Sequence, residues 1–293
     1  MRNKKQEIKN QKSKIFVLYH QNCSSGDGFG AAWAARKKFG RRAEYIAIDH
    51  DQKAIPRFCG ATIYLLDITL SRRAMEQLLF MAQRVVALDH HESAEKETKM
   101  AHEYIYDLAR SGATIAWHYF FSNKRVPWLL RYLEDGDNWK FRLPHTKEML
   151  ASIHAHERTF TVWDRLVQEF ETTHGRRRHC ESGEAVLAYE KQLVQKAVEN
   201  AYLVNFCGYR VYAVNSSVMR DYIGHALAKK TQSHFGVVWR RSKDIVAISL
   251  RSKGSRDVSV FAKKFGGGGH KHAAAFVIPA NKSFPWKEIK TKK

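Results

Sequence analysis

The chain lacks a long apolar run. Nothing in its 293 residues approaches the roughly 20 consecutive apolar positions that a membrane-spanning helix requires. The basic stretch Met1–Lys14 carries no apolar segment of secretory length either, so a cytoplasmic address with no membrane partner is expected. Cysteine is scarce. Cys23, Cys59, Cys180 and Cys207 are scattered and form no Cys-x-x-Cys pair, which argues against a disulfide framework or a zinc knuckle and for reduced thiols. Acidic residues are outnumbered, 29 against 50 lysines and arginines, for a net charge of +21 with histidines neutral. That imbalance favours polyanionic partners, including nucleic acid met through a basic surface. What is present is material for a core: 44% apolar and 12% aromatic residues exclude a disordered chain.

Short apolar runs alternate with helical stretches. Strands are expected at 15–19, 44–48, 61–66 and 84–88, and helices at 30–39 and 71–83, the second with Ser71 as N-cap. This is the pattern of a parallel sheet with crossover helices, an α/β fold. Further helices are expected at 111–121 and 128–139, and a helical region from about 160 to 201, broken at Gly175–His179 by an exposed basic turn. A second α/β unit follows from Gly208, with strands at 209–214, 235–239, 245–251 and 274–278 and helices at 222–231 and 258–265.

His20, Asp67 and the run Asp89-His90-His91 each fall just past the end of an expected strand, the edge where open α/β sheets place ligands. With Asp27, Asp135 and Asp137 they make a mixed imidazole and carboxylate set, suited to Mn²⁺ or a similar borderline cation. Such a set can hold two metals about 3.5–4 Å apart when one carboxylate bridges them. In the second unit, Gly266 to Gly269 followed by His270 lets backbone N–H groups approach an anion, and Arg251 stands just after a strand, where its fork suits a phosphate.

Together these residues resemble the DHH phosphoesterase superfamily: RecJ-like exonucleases, nano-RNases, cyclic-dinucleotide phosphodiesterases and type II pyrophosphatases. The signature Leu88-Asp89-His90-His91 matches the name-giving motif. Tyr19 to Gly30 is similar to the first motif, Leu66-Asp67 to the second, Tyr132 to Trp139 to the fourth, and Gly267-Gly268-Gly269-His270 to the substrate-binding signature of the associated C-terminal domain. The likeness runs from about Lys14 to Pro279. It implies a parallel-sheet catalytic domain at 12–160, a helical linker at 161–205, a smaller substrate-binding domain at 206–282, basic tails at 1–11 and 283–293, and an active site in the interdomain cleft.

The resemblance also implies roles. His20 and Asp27 would bind one metal, Asp67 would bridge, and His90 with Asp135 would hold the other, Asp137 being the rival of Asp135. Asp89 and His91 would be catalytic, with His91 near the scissile phosphate. Arg251, Gly267, Gly268, Gly269 and His270 would hold the substrate. The cofactor expected is two divalent cations, Mn²⁺ ahead of Mg²⁺ or Co²⁺. One departure stands out: Ser24 and Ser25 occupy a stretch where many members carry a further aspartate. The expected activity is hydrolysis, by metal-activated water, of short oligonucleotides or small nucleotide phosphoesters, in the manner of an exonuclease-type phosphodiesterase. The rivals are a cyclic-dinucleotide phosphodiesterase, a pyrophosphatase, and a catalytically inactive nucleotide-binding module.

Overall fold

A computed structural model describes residues 14–21, 25–49 and 58–289. The chain divides into two compact units, 1–186 and 187–293. In the first, β1 (Ile15–His20) leads to α1 (Asp27–Phe39) and β2 (Ala43–Ile48), then β3 (Thr62–Leu66), α2 (Arg72–Met81), β4 (Arg84–Asp89), the single turn α3 (Glu95–Thr98) and β5 (Glu103–Tyr106). Helices α4 (Gly112–Phe120), α5 (Trp128–Asp137), α6 (Thr146–His154) and α7 (Phe160–Glu171) follow, and then α8 (Thr173–Glu199).

The five strands pair in the order β2-β1-β3-β4-β5, all parallel. From β1 the chain steps outward to β2 and then to β3 on the other side, so the sheet changes direction beside β1. Successive side chains on a strand point to opposite faces. Val17, Leu66, Val86 and Leu88 therefore bury against α1, α4, α5 and α7, while Leu18, Leu65, Val85 and Ala87 bury against α2 through Met75 and Leu78. A strand buried on both faces is apolar throughout, which is why these runs read clearly. Ser71 does precede α2, although its side chain makes no capping bond.

The expected linker at 161–205 is helical, but its first part belongs to the first unit's core: Trp163, Leu166 and Phe170 of α7 are buried there. The exposed turn expected at Gly175–His179 is instead part of the continuous helix α8. Its glycines serve close packing. A Cβ on Gly175 would lie 2.0 Å from the Glu169 carbonyl oxygen, and one on Gly183 would lie 1.8 Å from that of Glu148. His179 is buried, its Nδ1 2.8 Å from Ser152 Oγ and its Nε2 2.7 Å from Glu169 Oε2.

The second unit holds β6 (Tyr202–Phe206), β7 (Tyr209–Asn215), α9 (Arg220–Lys230), β8 (Phe235–Arg241), β9 (Ile245–Ser252), α10 (Ser259–Lys264), β10 (Gly268–His270), β11 (Ala273–Pro279) and β12 (Trp286–Glu288). They form one mixed sheet, β10-β11-β9-β8-β7-β6-β12, in which only β7 and β8 pair in parallel. Phe206, Phe235, Phe261 and Phe276 centre its core. Part of the expected tail at 283–293 is thus structured, because β12 pairs with Val204–Phe206. The tail 1–11, residues 290–293, Cys23 and Ser24 lie outside the described residues. Among the described residues, no helix is long and apolar enough to cross a membrane.

Candidate metal centre

The carboxyl edge of the first sheet gathers donors from four segments: His20 ends β1, Asp67 follows β3, Asp89-His90-His91 ends and follows β4, and Asp27 opens α1. Asp137, the last residue of α5, joins them. His90 Nε2 is the hub. It lies 3.2 Å from Asp67 Oδ1, 3.4 Å from Asp137 Oδ2 and 3.9 Å from Asp27 Oδ2. Two groups of three donors are close enough to share an ion, Asp27-His90-Asp137 and Asp67-His90-His91.

Asp67 is fully buried with φ +57°, a left-handed conformation that an aspartate tolerates better than most residues. Its N–H donates to the Leu88 carbonyl oxygen at 2.9 Å, which fixes it to β4. The tight turn is made possible from outside: a Cβ on Gly112 would lie 2.5 Å from Asp67 Cβ, and one on Gly28 would lie 2.4 Å from the His20 carbonyl oxygen. Gly112→Ala is therefore expected to displace Asp67, costing about 1–3 kcal/mol through overpacking and lowering divalent-metal affinity. A melting curve and a metal titration of the purified variant check both, and wild-type metal affinity would contradict the reading.

Three buried or half-buried carboxylates and two imidazoles crowd this edge of the sheet. Burial, and then the charges of Asp67 and Asp137, push the Asp27 carboxyl well above the usual range. Burial likewise raises Asp137. Burial also opposes ionisation of Asp67, but the imidazoles of His20 and His90 outweigh it and hold that carboxyl below its usual range. Burial opposes the charged forms of both histidines, yet the surrounding carboxylates push His90 up to about 10, and Asp89 above all pushes His91 up to about 9. Asp27 Oδ2 and both oxygens of Asp67 are buried with no hydrogen-bond partner among the described residues. Buried carboxylate oxygens left in this state are costly unless a cation satisfies them. Oxygen and imidazole donors fit a borderline divalent ion.

Several expected residues take other places. Asp135 is not at the cluster. Its two oxygens accept from the N–H groups of Arg142 and Leu143, at 2.9 Å each, and from the Thr146 hydroxyl. It ties down a loop in which Trp139, Phe141 and His145 all have positive φ, and Asp137, not Asp135, stands in the cluster. Asp27 groups with His90 and Asp137, not with His20, and its Oδ1 accepts from Ala113 N–H at the start of α4. His20 stays beside Asp67, with Nδ1 3.7 Å from Oδ2. Asp89 is wholly engaged: it accepts from His90 N–H, His91 N–H and Thr69 Oγ1, and Oδ1 lies 2.6 Å from His91 Nδ1. Through that contact it positions the His91 ring.

In the second unit, Arg251, Ala273 and His270 face one another across β9, β11 and β10, so the two expected phosphate ligands share a row of the sheet. Asp221 and the Leu250 carbonyl oxygen hold the Arg251 guanidinium. Gly224 on α9 makes room for its stem, since a Cβ there would lie 2.7 Å from Arg251 Cγ. His225, beside Arg251, is pushed down to about 4, by burial first and then by the guanidinium. The glycine run is not an open anion nest. Gly266 and Gly267 N–H groups donate to Lys263 and Ala262 carbonyl oxygens, and Gly268–His270 pairs as a strand. Gly267 and Gly269 are required by the close approach of β11, where a Cβ would meet carbonyl oxygens at 2.1 and 2.4 Å.

Sequence reasoning missed Gly28, Gly112, Asp221 and Gly224. A glycine that makes room for a partner carries no local mark of it, because the partner comes from a distant segment.

Residues 200–286 match the family model of the DHHA1 domain. The uncharacterized protein R106 of Acanthamoeba polyphaga mimivirus is 28% identical over 312 residues, covering 97% of this chain and 72% of that protein. An exopolyphosphatase-related protein from Bacteroides fragilis has a similar solved structure, with TM-score 0.52 and 13% identity over 90% of this chain and 86% of that one. The pGpG-specific phosphodiesterase PggH from Vibrio cholerae gives a TM-score of 0.46 and 14% identity over 92% and 94%. The family-model match thus identifies a DHHA1 domain over residues 200–286, and the likeness to the Bacteroides fragilis structure is one of fold. That match falls within the second unit, 187–293.

Proposed function

We propose that the protein is a divalent-metal-dependent phosphodiesterase acting on short oligonucleotides or small nucleotide phosphoesters. The observation that carries this reading is the set of buried Asp27 and Asp67 oxygens without hydrogen-bond partners, converging with Asp137 on His90 Nε2. Asp27, Asp67, His90 and Asp137 would hold the cation, with His20 at the margin, and Mn²⁺ suits the mixed donors best. A bound divalent ion supplies Lewis acidity and lowers the pKa of water. Asp89 fixes the His91 ring through Nδ1, which leaves Nε2 as the ring atom to meet a substrate phosphate oxygen. Arg251 and His270 would grip an anionic group, in keeping with the +21 charge.

The test is hydrolysis by purified protein loaded with Mn²⁺, against an RNA dinucleotide, a longer RNA, a short DNA, a cyclic dinucleotide and inorganic pyrophosphate. Chelator-sensitive cleavage of the RNA dinucleotide above the others is expected. Preference for the cyclic dinucleotide or pyrophosphate would move the protein to that subclass, and no cleavage of any member would leave a binding module.

Metal addition has a second readout. At about a hundred times Kd the ion should stabilise the fold by about 2.7 kcal/mol, a rise of about 5–10 °C in Tm for a protein of this size. The pH dependence has a definite sign. His90 is raised from about 6.5 to about 10. Its protonation therefore stabilises the metal-free fold fully below about pH 6.5, a contribution lost as pH climbs through 10. Metal competes for the same nitrogen. The metal-induced shift in Tm should thus grow between pH 6.5 and 10, and a shift that shrank over that range would contradict the assignment.

A further inference from the structure

Given that the cluster is a metal centre, we infer that this chain holds one divalent ion tightly, among Asp27, Asp67, His90 and Asp137, and a second only weakly, beside His20. The two three-donor groups are not two sites. Both include His90, whose Nε2 is the nitrogen beside Asp67 and Asp137, and its single lone pair binds one ion at a time. That nitrogen faces carboxylates from β3, α1 and α5 at 3.2, 3.9 and 3.4 Å, so the donors close around one position.

Among the described residues, what remains for another ion is thin. Asp67 Oδ2 and His20 Nδ1 are 3.7 Å apart. His91 belongs to the second three-donor group, but its Nδ1 is committed to Asp89 Oδ1 at 2.6 Å, and its Nε2 is the atom given above to the substrate. The chain between His20 and Asp27 reads Gln-Asn-Cys-Ser-Ser-Gly, with neither carboxylate nor imidazole. Ser25 accepts from Asp27 N–H and brings no charge. A locus with one imidazole and one oxygen of a shared carboxylate has about half the donors of its neighbour, and affinity for hard divalent ions follows ligand charge and number.

The experiment is a Mn²⁺ titration of the full chain at neutral pH, followed by desalting, metal analysis and electron paramagnetic resonance. One ion per chain should survive desalting, with the six-line spectrum of an isolated Mn²⁺. The second should bind at least about 100-fold more weakly. His20→Ala should leave the retained ion at one per chain, while Asp137→Asn should lose it, with a melting curve of each metal-free variant to show that it folds. Two ions retained with a spin-coupled spectrum would overturn the inference, whichever loop residue supplied the donor, and would leave the phosphoesterase reading standing. Loss of the retained ion in folded His20→Ala would overturn it equally. No retained ion in the wild type would overturn both.

Discussion

Asp67→Ala should abolish turnover while the protein stays folded. Asp67 is the carboxylate nearest to His90 and lies 3.7 Å from His20, so its removal opens the metal centre on both sides. The loss expected is several kcal/mol of transition-state stabilisation, a fall in kcat of about a thousandfold or more at 1.36 kcal/mol per tenfold. The fold should survive because the apolar cores on both faces of the sheet do not include this side chain, although His20 and His90 lose the carboxylate that faces them. The left-handed backbone will make alanine cost about 1 kcal/mol, so the metal-free Tm should move by only a few degrees. The measurements are kcat on the preferred member of the substrate panel and the Tm with and without Mn²⁺. A folded variant that retained a tenth of the activity, or the metal-induced rise in Tm, would remove Asp67 from the centre.

The second large effect separates two aspartates that stand two positions apart. Asp135→Ala should destabilise the protein by about 3–5 kcal/mol, because it strips a buried acceptor from two backbone N–H groups and a hydroxyl. Tm should fall by about 10 °C or more, and whatever folds should still bind metal. Asp137→Ala should do the reverse, leaving Tm of the metal-free protein within a few degrees of wild type and abolishing tight metal binding. Thermal melts and metal titrations of both variants decide it. If Asp135→Ala lost metal with an unchanged melting curve, the assignment would be inverted.

That pair also shows where a linear sequence stops being informative. On a helix, residues two apart point about 200° away from each other, so only one of Asp135 and Asp137 can face the sheet edge. Which one does depends on how α5 is rolled by Leu129, Leu130 and Leu133 against the core, and on the loop that Asp135 anchors. The strands β1, β3 and β4 were legible because they are buried on both faces and read as unbroken apolar runs. The site residues at their ends were legible for the same reason, since the end of a clear strand is a definite place. Strand β5, with its half-exposed sequence Glu-Tyr-Ile-Tyr, and helix α6 gave no such contrast. In α8, Gly175 suggested a turn, but it is the small residue that a close crossing needs, while the arginines beside it are good helix formers. The glycines before His270 suggested an anion nest, and their N–H groups turn out to be bonded to a helix end and a neighbouring strand.

The three residues of β12 guard solubility, not chemistry. Strand β6 would otherwise end the second sheet with the backbone of Val204, Asn205 and Phe206 open to any extended peptide. Trp286 covers Phe206 at a ring separation of 6.3 Å and stacks on Phe284 at 4.6 Å, so the last strand is both paired and weighted down. A chain ending before Trp286 would keep every residue of the metal centre and yet present a sticky edge, so that its failure would show as aggregation in the tube long before it showed as a loss of catalysis.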